Sequence, residues 1–168
     1  MHRSRRLFVP LAVSTAAACA LGLSASGIAA ADDGGDGRDL LRSGLVGSTP
    51  PSSGGPTLFG VVPGGAPWVT DHESSVRIRQ DGRVEVKIRG LVIPGRGNPV
   101  ARVVATVVCN GGGVGNAVTT QAADLSPEGD GRIEDQVTLP SPCLAPALLV
   151  RPAAAPPAIP PYIAANGG

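Results

Sequence analysis

Aromatic side chains are nearly missing from this 168-residue chain, which has two Phe, one Trp and one Tyr. Beyond the N-terminal apolar run only Phe59, Trp68 and Tyr162 remain, too few to line a groove in which sugar rings stack. Histidine is as scarce. Past His2 there is His72 alone, in Asp71-His72-Glu73, and no nucleophile-elbow sequence accompanies it, so a Ser-His-Asp hydrolase would have to stand on a polar loop. Cys109 and Cys143 have no second thiol pair, and His72 lies far off in sequence, so a structural zinc site lacks ligands and no metal or cofactor is expected. Asp32, Asp33 and Asp36 lack the closing glutamate and alternating oxygen ligands of a calcium loop. Asp124, Glu128, Asp130, Glu134 and Asp135 are the carboxylates available for glycoside hydrolysis, but most fall in or beside one turn. Gly111-Gly112-Gly113 opens no helical pattern and precedes no Lys-Ser/Thr, so it is a turn rather than a phosphate loop. No convincing helical period and no internal repeat occur past the N-terminal run.

What is there begins with a leader. His2-Arg3-Ser4-Arg5-Arg6 is a basic n-region, Leu7 to Ile28 is apolar, and Ala29-Ala30-Ala31 precedes Asp32-Asp33, which predicts a signal peptide over 1–31 cut after Ala31. Two rivals stay open: a retained membrane anchor, since the run is long enough to span a bilayer, and lipidation at Cys19. Cleavage removes Arg3, Arg5 and Arg6 and leaves eleven basic against thirteen acidic side chains, a net −2 that implies no nucleic-acid partner. Residues 32–57, rich in Gly, Ser, Pro and Asp, read as a flexible linker, and 58–168 as one domain.

Within that domain the period is two. Val76 and Ile78 alternate with Arg77 and Arg79, and Val84, Val86 and Ile88 with Arg83, Glu85, Lys87 and Arg89. A two-residue Asp81-Gly82 turn would mix the faces, so a three-residue Gln80-Asp81-Gly82 loop is predicted, pairing Ile78 with Val84 and Arg77 with Glu85. The central stretch is Val100 to Leu144. There VARVVATVVC is apolar at every odd position, as an inner strand is, and AVTTQAADLS and RIEDQVTLP read as the next two strands, with Asp135 the exception on the inner face of the latter. Leu58–Val62 is a candidate edge strand, a strand follows Pro146, Tyr162–Ala164 closes the set, and Trp68 is expected to plug one end of the core. Short strands recurring between Gly/Pro turns predict an all-β fold, an immunoglobulin-like antiparallel sandwich of about seven strands.

Two features carry consequences. Cys109 and Cys143, an even pair in an exported chain, are expected to form a disulfide tying the end of the Val100–Cys109 strand to the start of the Leu144–Val150 strand. Arg77, Arg79, Arg83, Lys87 and Arg89 share the outward parity of the hairpin, a candidate basic face for an anionic cell-wall polymer or envelope surface, or a solvated face that discourages edge pairing.

The segments GLVIPGRGNPV, VVATVVCNG, LPSPCLAPALLVRP and YIAANG resemble those of small secreted proteins of uncharacterised function from high-GC Gram-positive bacteria, over roughly Pro63 to Gly167. The resemblance implies export, a compact β domain and a cysteine pair placed like Cys109 and Cys143, and it carries no catalytic residue across. The expected function is therefore that of an exported, non-catalytic domain that binds or supports something at the cell envelope, secreted or wall-associated. The alternatives are a small-ligand carrier with a cleft between sheets and, third, a hydrolase using His72.

Overall fold

Alternation along Ser74 to Ile93 becomes the hairpin it predicts. The computed structural model describes residues 37–154 and 159–167. The expected leader, Cys19 and the Asp32/Asp33/Asp36 cluster lie outside the described residues. β2 (Ser75–Arg79) and β3 (Arg83–Ile88) pair antiparallel with Ile78 opposite Val84 and Arg77 opposite Glu85, the register of the three-residue loop. Asp81 Oδ1 accepts the Arg83 N–H at 2.9 Å, and the Gly82 N–H donates to the Arg79 carbonyl at 3.0 Å. Gly82 has φ +91°, and a Cβ there would stand 1.9 Å from the Val137 carbonyl oxygen, so both backbone and space require glycine.

The linker expected over 32–57 is corrected, because Asp39–Gly47 is a strand, β1. Its first part pairs with β2, Arg42 opposite Arg77, and its last three residues pair with β9 (Ala164–Asn166). A register shift between Asp39 and Leu41 breaks the alternation, so Leu40 and Leu41, neighbours in sequence, both pack on the core. Gly47, a linker signal in the sequence, is where β1 meets the backbone of Trp68: a Cβ would lie 2.1 Å from the Trp68 carbonyl oxygen.

β4 (Arg102–Val108) is the inner strand. It pairs along one side with β8 (Ala147–Pro152), from Val103 opposite Pro152 to Val108 opposite Ala147. On its other side lie only β5 (Val118–Thr119) and β6 (Ala123–Asp124), so the strand expected through AVTTQAADLS is broken. Thr120 is the reason. Its Oγ1 accepts the Ala105 N–H at 3.0 Å, and its own N–H donates to the Ala105 carbonyl at 2.9 Å, so here a side chain takes the place of a backbone partner. β7 (Gly131–Gln136) does not continue beside this segment either; it pairs with β3, Ile133 opposite Val86. Asp135, the inner-face exception, accepts the Gln121 N–H at 2.7 Å and so fastens the broken segment to β7.

The described residues form one curled antiparallel sheet of nine strands, order β5-β4-β8-β9-β1-β2-β3-β7, with β6 also on β4. The excess over seven comes from β1 and from the break between β5 and β6. Leu58–Val62 is not a strand but a tight turn in which Leu58 and Val61 bridge each other. A bridge between Leu125 and Gly131 brings the β6 segment against β7, so the sheet bends toward closure. No helix among the described residues is long and apolar enough to cross a membrane.

Inside the curl, Ile78, Val84, Val86, Ile88 and Ile133 meet Val103, Ala105, Val107, Leu148 and Val150, with Trp68 also buried in this core. Each fully buried aliphatic side chain of this kind contributes about 1.5–3 kcal/mol. A smaller cluster sits apart, Leu149, Val61 and Tyr162 with Phe59 and Leu58 against them. Tyr162 Oη donates to the Pro56 carbonyl at 2.6 Å, and burial raises its pKa. The closing strand is β9, two residues beyond the Tyr162–Ala164 expected. Cys109 and Cys143 are bonded, with Cα atoms 5.0 Å apart, at the end of β4 and ahead of β8 as expected. Asn110 reinforces the junction: its Oδ1 accepts the Leu144 N–H at 2.7 Å and its Nδ2 donates to the Pro142 carbonyl at 2.9 Å.

Candidate functional site: the outer face of β1, β2, β3 and β7

Cross-strand partners in an antiparallel sheet share a face. The register therefore places Arg42, Arg77, Glu85 and Glu134 in one row across β1, β2, β3 and β7, and Ser75, Lys87 and Arg132 in the next row across β2, β3 and β7. Arg42, Arg77, Lys87, Arg132 and Glu85 line a shallow hollow of about 300 Å³. Four cations from four adjacent strands meet there around one carboxylate.

The five basic residues of the hairpin do not form one patch. Arg77 and Lys87 are in the hollow. Arg79 is buried, 6% exposed, with its Nη2 3.6 Å from Glu85 Oε1. Arg83 borders a separate hollow with Glu85, Glu134 and Asp135, an acidic neighbourhood. Arg89 lies past the end of β3, bound to Asp130 Oδ2 at 3.2 Å. Sequence reasoning missed Arg42, which sat in the supposed linker, and Arg132, whose outward parity was visible but whose place beside β3 was not.

Besides Glu85 within the hollow, further acids surround it. Arg77 Nε donates to Asp39 Oδ1 at 2.6 Å, and this hydrogen bond holds the Asp39 carboxyl below its usual range. Lys87 Nζ donates to Glu73 Oε2 at 3.0 Å and lowers Glu73 likewise. Arg132 pairs with Glu134 on its own strand. Asp130 is lowered first by the Gly90 N–H and then by Arg89. Arg42 is exposed and makes no ion pair among the described residues.

His72 is 90% exposed in the loop before β2, its Nδ1 2.6 Å from Asp71 Oδ1. The nearby Ser74 hydroxyl donates to the Arg89 carbonyl at 3.0 Å and accepts the Arg89 N–H at 2.9 Å, so it is committed to holding the chain. Among the described residues no group of three or more His, Cys, Asp or Glu side chains is arranged to hold a metal ion. At the disulfide end a cleft of about 520 Å³ opens between Leu40, Gln80 and Asp81 on one side and Val137, Leu139 and Cys143 on the other.

No family model, no curated protein and no solved structure matches the chain.

Proposed function

We propose that this is an exported, non-catalytic binding domain of the cell envelope, of the kind found among the small secreted proteins it resembles, and that the outer face of β1, β2, β3 and β7 makes the contact. The observation that carries this reading is the gathering of Arg42, Arg77, Lys87 and Arg132 around the single carboxylate Glu85 in one hollow of a chain whose net charge past the leader is −2. A local positive field of that kind attracts an anionic surface, and salt screens it. On this reading the curled sheet works as an immunoglobulin-like sandwich, β1 passing from the β2-β3-β7 layer to the β5-β4-β8-β9 layer. The two apolar inner faces and the cysteine pair between β4 and the approach to β8 support that arrangement. The loop carrying His72 lacks the water exclusion that hydrolysis by general-base catalysis exploits.

Fractionation tests the whole reading. The processed protein is expected in the medium or bound to washed envelopes, eluting with salt, its N-terminus at or near Asp32. Recovery solely in the cytosol, or envelope retention indifferent to salt, overturns it.

A second reading, a carrier of small ligands, is favoured by the cleft at the disulfide end, whose volume of about 520 Å³ lies within the usual range for ligand pockets. A thermal shift produced by metabolites or cell-wall fragments, and lost in Leu139→Asp, would select it.

A further inference from the structure

Resting on the envelope reading, the geometry points to a more specific ligand: we infer that the face binds a linear phosphate polymer laid across the strands, not a single anion and not a carboxylate pocket ligand. The four cations lie one to a strand and follow a diagonal. Arg42 is directly opposite Arg77, Lys87 is directly opposite Arg132, and Arg77 lies diagonally from Lys87, whose own partner is Ser75. Adjacent strands are about 4.8 Å apart, and diagonal neighbours about 7–8 Å, so the track spans roughly 15 Å with a cation at each step. One phosphate covers one step. A linear chain of phosphates long enough to span the track reaches all four.

The surroundings restrict the ligand further. Glu85 and Glu134 continue the row of Arg42 and Arg77, so a compact polyanion centred over β3 would meet carboxylates, while a chain following the diagonal passes beside them. Among the described residues no apolar wall rises over the hollow, whose lining is otherwise Ser75, Val76 and Val86, and the two valines face the core. Recognition is therefore by a line of positive charge, without a pocket for a particular side group. The pairs Lys87–Glu73 and Arg132–Glu134 are exposed and Arg77–Asp39 is half-exposed, and solvated pairs of this kind hold too weakly to prevent exchange of a carboxylate for a phosphate.

Titration of the full processed protein with long-chain polyphosphate and with triphosphate, at low and high salt, tests the inference. The long polymer is expected to bind at low salt, and triphosphate far more weakly. The variant R42Q/K87Q/R132Q, altered at positions outside the core, is expected to lose roughly a hundredfold in polymer affinity at low salt, one screened contact per cation. The control R83Q/R89Q, off the diagonal, is expected to lose no more than about fivefold at low salt and almost nothing at about 0.15 M salt, where charges beyond about 8 Å are screened. Equal binding of triphosphate and polymer, or an equal loss in the control, overturns the track. If envelope binding persists while the track variant binds polymer unchanged, this inference fails and the envelope reading stands. If the polymer binds along the track while envelopes are ignored, the envelope reading fails instead.

Discussion

The two sides of the curl solve the problem of their outer faces differently. On the β5-β4-β8-β9 side the outer face is covered over β8: Leu149, Val61 and Tyr162 form a second small core, and the disulfide with Asn110 fastens the end of β4. On the β1-β2-β3-β7 side the outer face is open and carries arginine, lysine and glutamate in rows. One side is made permanent by covalent and apolar means, and the other is left wet and charged. A domain built this way keeps its shape through the first side and leaves the second, which the proposed function uses, exposed to solvent.

Reduction should break the covered side first and with the largest effect. The bond closes a loop of 34 residues, for which chain entropy gives about 4 kcal/mol, a large part of the 5–15 kcal/mol typical of a domain. Melting with and without reductant is expected to show a drop of about 10–15 °C for a domain of this size. Hydrogen exchange should rise in β4 and β8 before β2 and β3. An unchanged melting temperature after verified reduction would mean that the small apolar cluster alone holds that side.

The matching blow to the open side is Gly82→Ala. The new methyl would press on the Val137 carbonyl from a residue already at positive φ, and a cost of about 2 kcal/mol or more is expected in denaturant unfolding. Here local sequence was sufficient. Alternation and a glycine in the loop specified the hairpin, its register and the left-handed residue, because everything needed for these lay within twenty residues, whereas the approach of the Val137 carbonyl to Gly82 is non-local. β1 was opaque for the opposite reason: its bulge puts Leu40 and Leu41 on the same core, and Gly47 answers to Trp68, more than twenty residues away in sequence. The partner of β7 is equally non-local. Since the candidate site needs both β1 and β7, half of its cations, Arg42 and Arg132, could not be assembled from the sequence, while Arg77 and Lys87 could.

A third change sharpens the contrast by placing a charge where it does not help. Arg151 on the covered side is 7% exposed, its Nε donating to Thr106 Oγ1 at 2.9 Å, with no carboxylate within ion-pair distance among the described residues. Burial lowers its pKa. A buried cation without a counter-charge opposes folding, so Arg151→Met is expected to leave stability unchanged or raise it by about 1 kcal/mol, read from the urea midpoint. A loss of more than about 1 kcal/mol would show that the Thr106 hydrogen bond outweighs the burial.

The smallest effect belongs to the acids of the open side, and it appears only at low pH. Asp39, Glu73 and Asp130 all lie below their ordinary values of 3.8, 4.5 and 3.8, held down respectively by Arg77, by Lys87, and by the Gly90 N–H with Arg89. A carboxyl whose folded pKa is depressed contributes stability that is complete above its unfolded value and disappears as pH falls through the folded value. These three should therefore add nothing to the pH dependence between about pH 7 and 5.5, and their contribution should fade below about pH 4.5. All three are fully or largely hydrated pairs, so the fading is shallow and salt reduces it further. Melting curves of the parent and of D39N/E73Q/D130N across that range make the measurement: the variant is expected to start slightly lower at neutral pH and to converge on the parent in acid. Parallel curves that never converge would place the acid sensitivity elsewhere, and the open side would then owe none of its order to its charges.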